Sequence, residues 1–169
     1  MKHNSPDILN NCLYIQIIPF GLNAPLPENN DYVSAICLPT VNDTQGETEY
    51  SFNYATGWGE TYGDPFYSNV LKQTALPIVS QKNCTLNKHL DTNTTVCAGF
   101  ENGEHDTCNA DSGGPLMWFN RETKTWVLIG ITSFGPPICG TPNKPGVYTR
   151  VSFYLPWILN IIKQDNNLI

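Results

Sequence analysis

Charge is scarce in this chain, and positive charge is the scarcer kind. Asp, Glu, Lys and Arg make up 14% of the 169 residues, with nine Lys and Arg against fifteen Asp and Glu. The net charge of −6, with no basic run long enough to follow a phosphate backbone, argues against nucleic acid as a partner. A membrane span is also missing: the apolar stretch at residues 12–20 is too short to cross a bilayer and contains Gln16 and Pro19. The first seven residues lack the apolar core and small-residue cleavage site of a signal peptide. Histidine is nearly absent, with only His3, His89 and His105, a shortage that bears on any chemistry needing a base near neutral pH. There is no internal repeat and no low-complexity segment.

Cysteine, glycine and proline are present in strength. Six Cys lie among 13 Gly and 13 Pro, and three glycosylation-type triplets occur, Asn42-Asp43-Thr44, Asn83-Cys84-Thr85 and Asn93-Thr94-Thr95. Together they point to an oxidising, secretory compartment. The start at Met1 conflicts with that compartment, which leads us to expect a piece of a longer secreted chain. A hydrophobic content of 40% over this length supports one sizeable core.

Past residue 30 the chain reads as β-structure. Short β-branched or aromatic runs at residues 50–56, 126–134 and 146–151 alternate with turn residues. Helical spacing appears only near the end, where Leu155, Ile158, Leu159 and Ile162 fall three and four apart; the pattern predicts a helix over 153–162 with Pro156 in its first turn. One antiparallel barrel closed by a C-terminal helix fits this order.

The segment Asn109-Ala110-Asp111-Ser112-Gly113-Gly114-Pro115 carries the chemistry. A serine hydroxyl is a poor nucleophile at neutral pH, so it needs a base within hydrogen-bond reach and N–H donors for the oxyanion that forms. A bare Ser-Gly-Gly is usually a surface turn. Here it stands in order with Ile36-Cys37-Leu38-Pro39, Thr56-Gly57-Trp58-Gly59, Ser133-Phe134-Gly135, Lys144-Pro145-Gly146-Val147-Tyr148-Thr149 and Tyr154-Leu155-Pro156-Trp157-Ile158. In that order and spacing the chain resembles the trypsin-like serine proteases from about residue 22 to 162. The resemblance implies an all-β fold: a six-stranded antiparallel barrel, the second of the family's two, with a C-terminal helix and most of the first barrel absent. Residues 31–169 would form that barrel and helix, and residues 1–30 a remnant of the first barrel or linker.

The roles below are what the resemblance implies. Ser112 is the nucleophile, and its N–H with that of Ala110 forms the oxyanion hole. Asp111 matches the acid that pairs with the new amino terminus after zymogen cleavage. No Arg-Ile or Lys-Ile activation site precedes it in this chain, so it is expected to lack that partner. Asp106 matches the floor of the specificity pocket, where a carboxylate selects Arg or Lys. Gly135 and Gly146 match its walls, and Ser133, Phe134 and Gly135 would present backbone to an extended substrate. Cys84 pairs with Cys97 and Cys108 with Cys139. Cys37 matches a cysteine that bonds to the propeptide region, which makes the missing first-barrel segment a candidate partner, while Cys12 has no counterpart. Asn53 and Trp118 replace a further cysteine pair. No cofactor and no metal are implied. The partner is a polypeptide substrate or protein inhibitor, with no nucleic acid and no membrane.

Three departures limit the transfer of function. Nothing resembles the family's Ala-Ala-His-Cys motif, and none of the three histidines matches the base. The triad acid falls on Asp7, ahead of an anomalous insertion at residues 9–21, with a rival register that places Asn11 there. The insertion is read as retained intron or a misassembled gene model. Ala110 occupies a position that is nearly always glycine, which matters if its φ is positive. Two functions follow: an Arg/Lys-directed serine endopeptidase present as an incomplete, inactive chain, or a non-catalytic homologue that binds and regulates. A single barrel would also expose the apolar face that meets its missing partner.

Overall fold

The structure, a computed structural model, describes residues 34–40, 43–61, 64–84 and 90–166. Asp7, Asn11, Cys12, the segment 9–21, Asn42, His3 and His89 lie outside the described residues.

Among the described residues, eight strands and one α-helix form the body, with a 3-10 turn at Asp43–Glu47 ahead of them. The strands are β1 (Phe52–Gly57), β2 (Glu60–Thr61), β3 (Asp64–Tyr67), β4 (Lys72–Val79), β5 (Thr95–Ala98), β6 (Pro115–Asn120), β7 (Thr125–Phe134) and β8 (Gly146–Arg150), and the helix α1 is Val151–Asn166. Six strands close into an antiparallel barrel in the order β1-β4-β5-β8-β7-β6, with β6 returning to β1 through Tyr54↔Met117 and Ala55↔Leu116. Closure leaves the sheet no free edge. The remaining pair, β2 and β3, makes a small ribbon outside the barrel, an element the sequence pattern does not announce.

Period-two alternation builds the interior. In β4, Leu76 and Ile78 are buried while Ala75, Pro77 and Val79 are half-exposed. They meet Ala55, Val96, Ala98, Leu116 and Tyr148 in one cluster, with Phe100 packed against it. Truncating Leu76 or Leu116, both fully buried, would cost about 2–5 kcal/mol through lost transfer energy and the cavity left behind.

The C-terminal helix starts two residues before the predicted span 153–162 and runs four residues past it. Val151 and Tyr154 are buried and α1 packs on β7. Leu159 and Ile162 are 43% and 42% exposed, so the stripe leaves the barrel before it ends. Pro156 is therefore not in the first turn: it is the sixth residue of the helix, and its missing N–H removes the bond that the Ser152 carbonyl would accept.

Two polar clusters tie loops to the barrel. The Asp43 carboxylate accepts from Thr40 N (2.7 Å), Thr40 Oγ1 (2.6 Å) and Asn120 Nδ2 (3.0 Å). Glu47 accepts from the Arg150 guanidinium and from Ser152 Oγ at 2.5 Å. Asn53 is fully buried and donates to Gly46 O at 3.0 Å. The Trp118 ring fills the space beside Gly46, where a Cβ would meet it at 2.9 Å.

Candidate active site

Two loops at one end of the barrel build the site: residues 99–114, between β5 and β6, and residues 135–145, between β7 and β8. The disulfide between Cys108 and Cys139 joins them, with Cα atoms 5.6 Å apart. A second disulfide links Cys84 to Cys97, the residue of β5 that pairs with Val147 of β8.

Ser112 is exposed on a turn fixed from both sides. Gly113 N donates to Thr132 O and Thr132 N to Gly114 O, each at 2.9 Å, so the turn is tied to β7 just before its irregularity. The β7–β8 register shifts between Thr132 and Phe134, which places Ser133 at a bulge, a device that re-aims backbone near binding sites. Gly135 follows, with open space where a side chain would be. The N–H groups of Ala110 and Ser112 engage no acceptor among the described residues. Ala110 adopts φ 70°, the left-handed region in which a methyl group costs about 1–2 kcal/mol. Its glycine-to-alanine departure thus falls where it carries strain.

Behind this turn the Asp111 carboxylate accepts N–H bonds from Gly59 at 2.8 Å and Cys108 at 2.9 Å. Its hydrogen-bond partners are therefore two backbone donors. This explains two glycines in Thr56-Gly57-Trp58-Gly59: a Cβ at Gly57 would lie 2.0 Å from Asp111 Oδ1, and one at Gly59 2.5 Å from its Cγ. Two motifs fifty residues apart are one contact. Glu60 extends the clasp, its N–H donating to Asn109 O at 3.0 Å and its carboxylate accepting from Asn109 Nδ2 at 2.8 Å. The sequence shows both motifs but not that one exists to admit the other.

Asp106 is half-buried and accepts from Thr107 N and Gly140 N, each at 2.9 Å. Burial raises its pKa above the ordinary carboxylate value; the two N–H bonds oppose the shift and the charge of Asp111 adds to it. Gly146 of β8 lies against the carboxylate, where a Cβ would sit 3.1 Å from Asp106 Oδ1, but it is not among the walls of the cleft that Asp106 lines. Beside it Thr107 Oγ1 and the Tyr148 hydroxyl share a hydrogen bond of 2.9 Å. Burial pushes the Tyr148 phenol well above its usual value, so it stays neutral. Sequence reasoning missed this pair because Tyr148 reads as an ordinary strand residue.

A cleft of about 620 Å³ is lined by Asp106 and Asp111 together with Gly57, Gly59, Glu60 and Ile138; Ser112 is not among its walls. It lies on the carboxylate side of the turn. His105, at its rim, is exposed, stands edge-on to Phe100 with centroids 5.7 Å apart, and lies 3.8 Å from Glu104. Cys37 keeps a free, exposed thiol while its backbone bridges to β7 beside Val127. Among the described residues no group of His, Cys, Asp and Glu is arranged to hold a metal, and no helix is long and apolar enough to cross a membrane.

A barrel of this topology, with a Ser-Gly-Gly turn clasped by a Gly-x-Gly strand end, defines a class. The family model described as Trypsin matches residues 21–158. The chain belongs to the trypsin family of serine proteases. It is similar to a CLIP domain-containing serine protease HP8 of Bombyx mori, 41% identical over 140 residues that cover 80% of this chain and 37% of that protein. It is also similar to the clotting factor G beta subunit of Tachypleus tridentatus, 38% identical over 144 residues, 79% of this chain and 46% of that one. The chain thus spans less than half the length of these relatives.

Proposed function

We propose that the chain is the second-barrel portion of a secreted, glycosylated trypsin-like endopeptidase that cleaves after Arg or Lys, and that these 169 residues turn over little substrate alone. The observation that carries the specificity is Asp106. A half-buried carboxylate whose pKa is raised by desolvation gains from an entering cation, and neutral side chains leave that cost uncompensated. Ser112 is the nucleophile of this proposal, Ala110 N and Ser112 N the oxyanion donors, and Asp111 the brace behind them. Ser133, Gly135 and Gly146 take the substrate backbone and admit its long side chain.

The expected inactivity rests on the missing base. His105 is engaged by Phe100 and Glu104, and the triad acid, assigned to Asp7, has no histidine of matching position to orient. A base supplied from outside these residues would complete the triad; without one the rate falls by orders of magnitude. Trp58, Phe66, Tyr67, Val70, Leu71 and Ile138 are exposed, which supports the expectation of a covering partner. The alternative, a non-catalytic homologue that binds cationic peptides, is favoured by the same pairing of an ordered Asp106 pocket with an unassisted Ser112.

A fluorophosphonate probe tests the proposal. The chain alone is expected to label no faster than Ser112→Ala, and to label readily once the complete two-barrel protein is supplied. Rapid labelling of the chain alone, abolished by Ser112→Ala, would contradict the expected inactivity. A complete protein, cleaved to its activated form, that stays unlabelled decides for the non-catalytic alternative.

A further inference from the structure

We infer that Asn93 carries an N-linked glycan, displayed at the end of the barrel opposite the Asp106 pocket. Three acceptor triplets occur in the sequence, and Asn93-Thr94-Thr95 is the one whose three residues are all described. It forms a turn with a fixed inside and outside. Thr94 and Thr95 are 4% and 6% exposed, and both hydroxyls donate to Asp91 O, at 3.0 and 2.8 Å. Arg150 grips the same turn from within, donating to Thr92 O at 3.1 Å and Thr95 O at 3.0 Å. Asn93 is the residue that faces out: it is exposed, its N–H is held by Asp91 Oδ1 at 2.9 Å, and its side-chain amide bonds to no described residue.

Position in the barrel decides whether a bulky sugar is tolerated. Strands β5 and β8 pair from Ala98↔Gly146, beside Asp106, to Thr95↔Thr149. Asn93 lies beyond the second end, so a glycan there projects away from the pocket and buries nothing. The Asn83 triplet differs in one respect: its central Cys84 is bonded to Cys97, so sugar transfer competes with disulfide closure.

The chemistry is a glycosyl transfer from a lipid-linked diphosphate oligosaccharide. A bond forms from Asn93 Nδ2 to the anomeric carbon, the carbon–oxygen bond to the diphosphate breaks, the amide loses one proton, and the lipid diphosphate leaves. Recognition of such a triplet uses the Thr95 hydroxyl, which the folded turn encloses. Transfer therefore precedes folding, and folding then leaves the sugar outside.

This inference rests on the secretory reading above, and the experiment separates the two. The full chain, fused to a cleavable secretion leader, is expressed in a eukaryotic host. Peptides from secreted and endoplasmic-reticulum-retained pools are analysed by mass spectrometry before and after amidase release of glycans, so that a folding failure hides nothing. The Asn93 peptide is expected to be glycosylated in most molecules, Asn93→Gln to lose one glycan's increment in mobility, and Thr95→Ser to keep it. An unmodified Asn93 peptide in both pools, with or without sugar on Asn42 or Asn83, overturns the inference and leaves native secretion to be judged separately.

Discussion

Asp43 and Asp106 are the same side chain in two opposite situations. Asp43 meets a hydroxyl, an amide and a backbone N–H, and the Thr40 hydroxyl leads the bonds that hold its pKa below the ordinary carboxylate value. Asp106 meets only two backbone N–H groups, and burial pushes its pKa up. Among the described residues no cation lies within ion-pair distance of Asp106 or Asp111, whereas Glu47, near Asp43, is bridged by Arg150. At one pole of the barrel a carboxylate is answered by an internal cation, Glu47 by Arg150, and Asp43 by three neutral donors, two of them side chains. At the pocket pole Asp106 and Asp111 accept only backbone N–H bonds among the described residues, and a ligand bringing the opposite charge would answer them.

Substitutions break that comparison in graded ways. Arg150→Ala should do the most damage, lowering unfolding free energy by about 3–5 kcal/mol in urea titrations, because it strands the poorly exposed Glu47 carboxylate and two carbonyls of the 91–95 turn. Asp43→Ala should cost about 2–3 kcal/mol by the same measurement, since it leaves the buried Asn120 amide without an acceptor. At the other pole, Gly57→Ala should cost about 1–3 kcal/mol by driving a methyl into Asp111, and should lower the yield of reactive Ser112 in the complete protein.

The two aspartates should also give opposite pH signatures. Asp43, with a depressed folded pKa, contributes stability above the ordinary carboxylate value that is lost as pH falls through its lower folded value. Asp106, with a raised folded pKa, makes its contribution below the ordinary value and loses it as pH rises through the raised one. Thermal melts of Asp43→Asn and Asp106→Asn across that acid range should therefore flatten the profile on opposite limbs. The smallest effect is expected from Ala110→Gly: relief of the φ 70° conformation is worth about 1–2 kcal/mol and is partly offset by the greater unfolded entropy of glycine. A fall in stability on this substitution would mean that the entropy of glycine outweighs the strain relieved.

Much of this molecule is legible in its sequence, unevenly. The barrel and closing helix follow from the β-branched and aromatic runs at residues 126–134 and 146–151, from the helical spacing of Leu155, Ile158, Leu159 and Ile162, and from the ordered motifs, which are local signals. The β2–β3 ribbon is not legible, since a two-residue strand at Glu60–Thr61 has no periodicity to read. Tyr50 reads as the start of a strand but sits at φ 66° in a turn, because its N–H is taken by Ile78 O, a partner far along the chain. The candidate site divides the same way. Ser112 and Asp106 stand out by motif, whereas the fit of Asp111 against Gly57 and Gly59 and the Thr107–Tyr148 bond arise only when distant segments meet.

The central claim is that Asp106 awaits a cation, and titration of the chain with benzamidine, a small aryl amidinium, tests it most directly. One site is expected, weakened at least about tenfold by Asp106→Ala, the loss of one charge-assisted contact, and weakened again as acid protonates Asp106. Binding that is equal in the wild-type chain and Asp106→Ala, or that is insensitive to acid, would contradict the account.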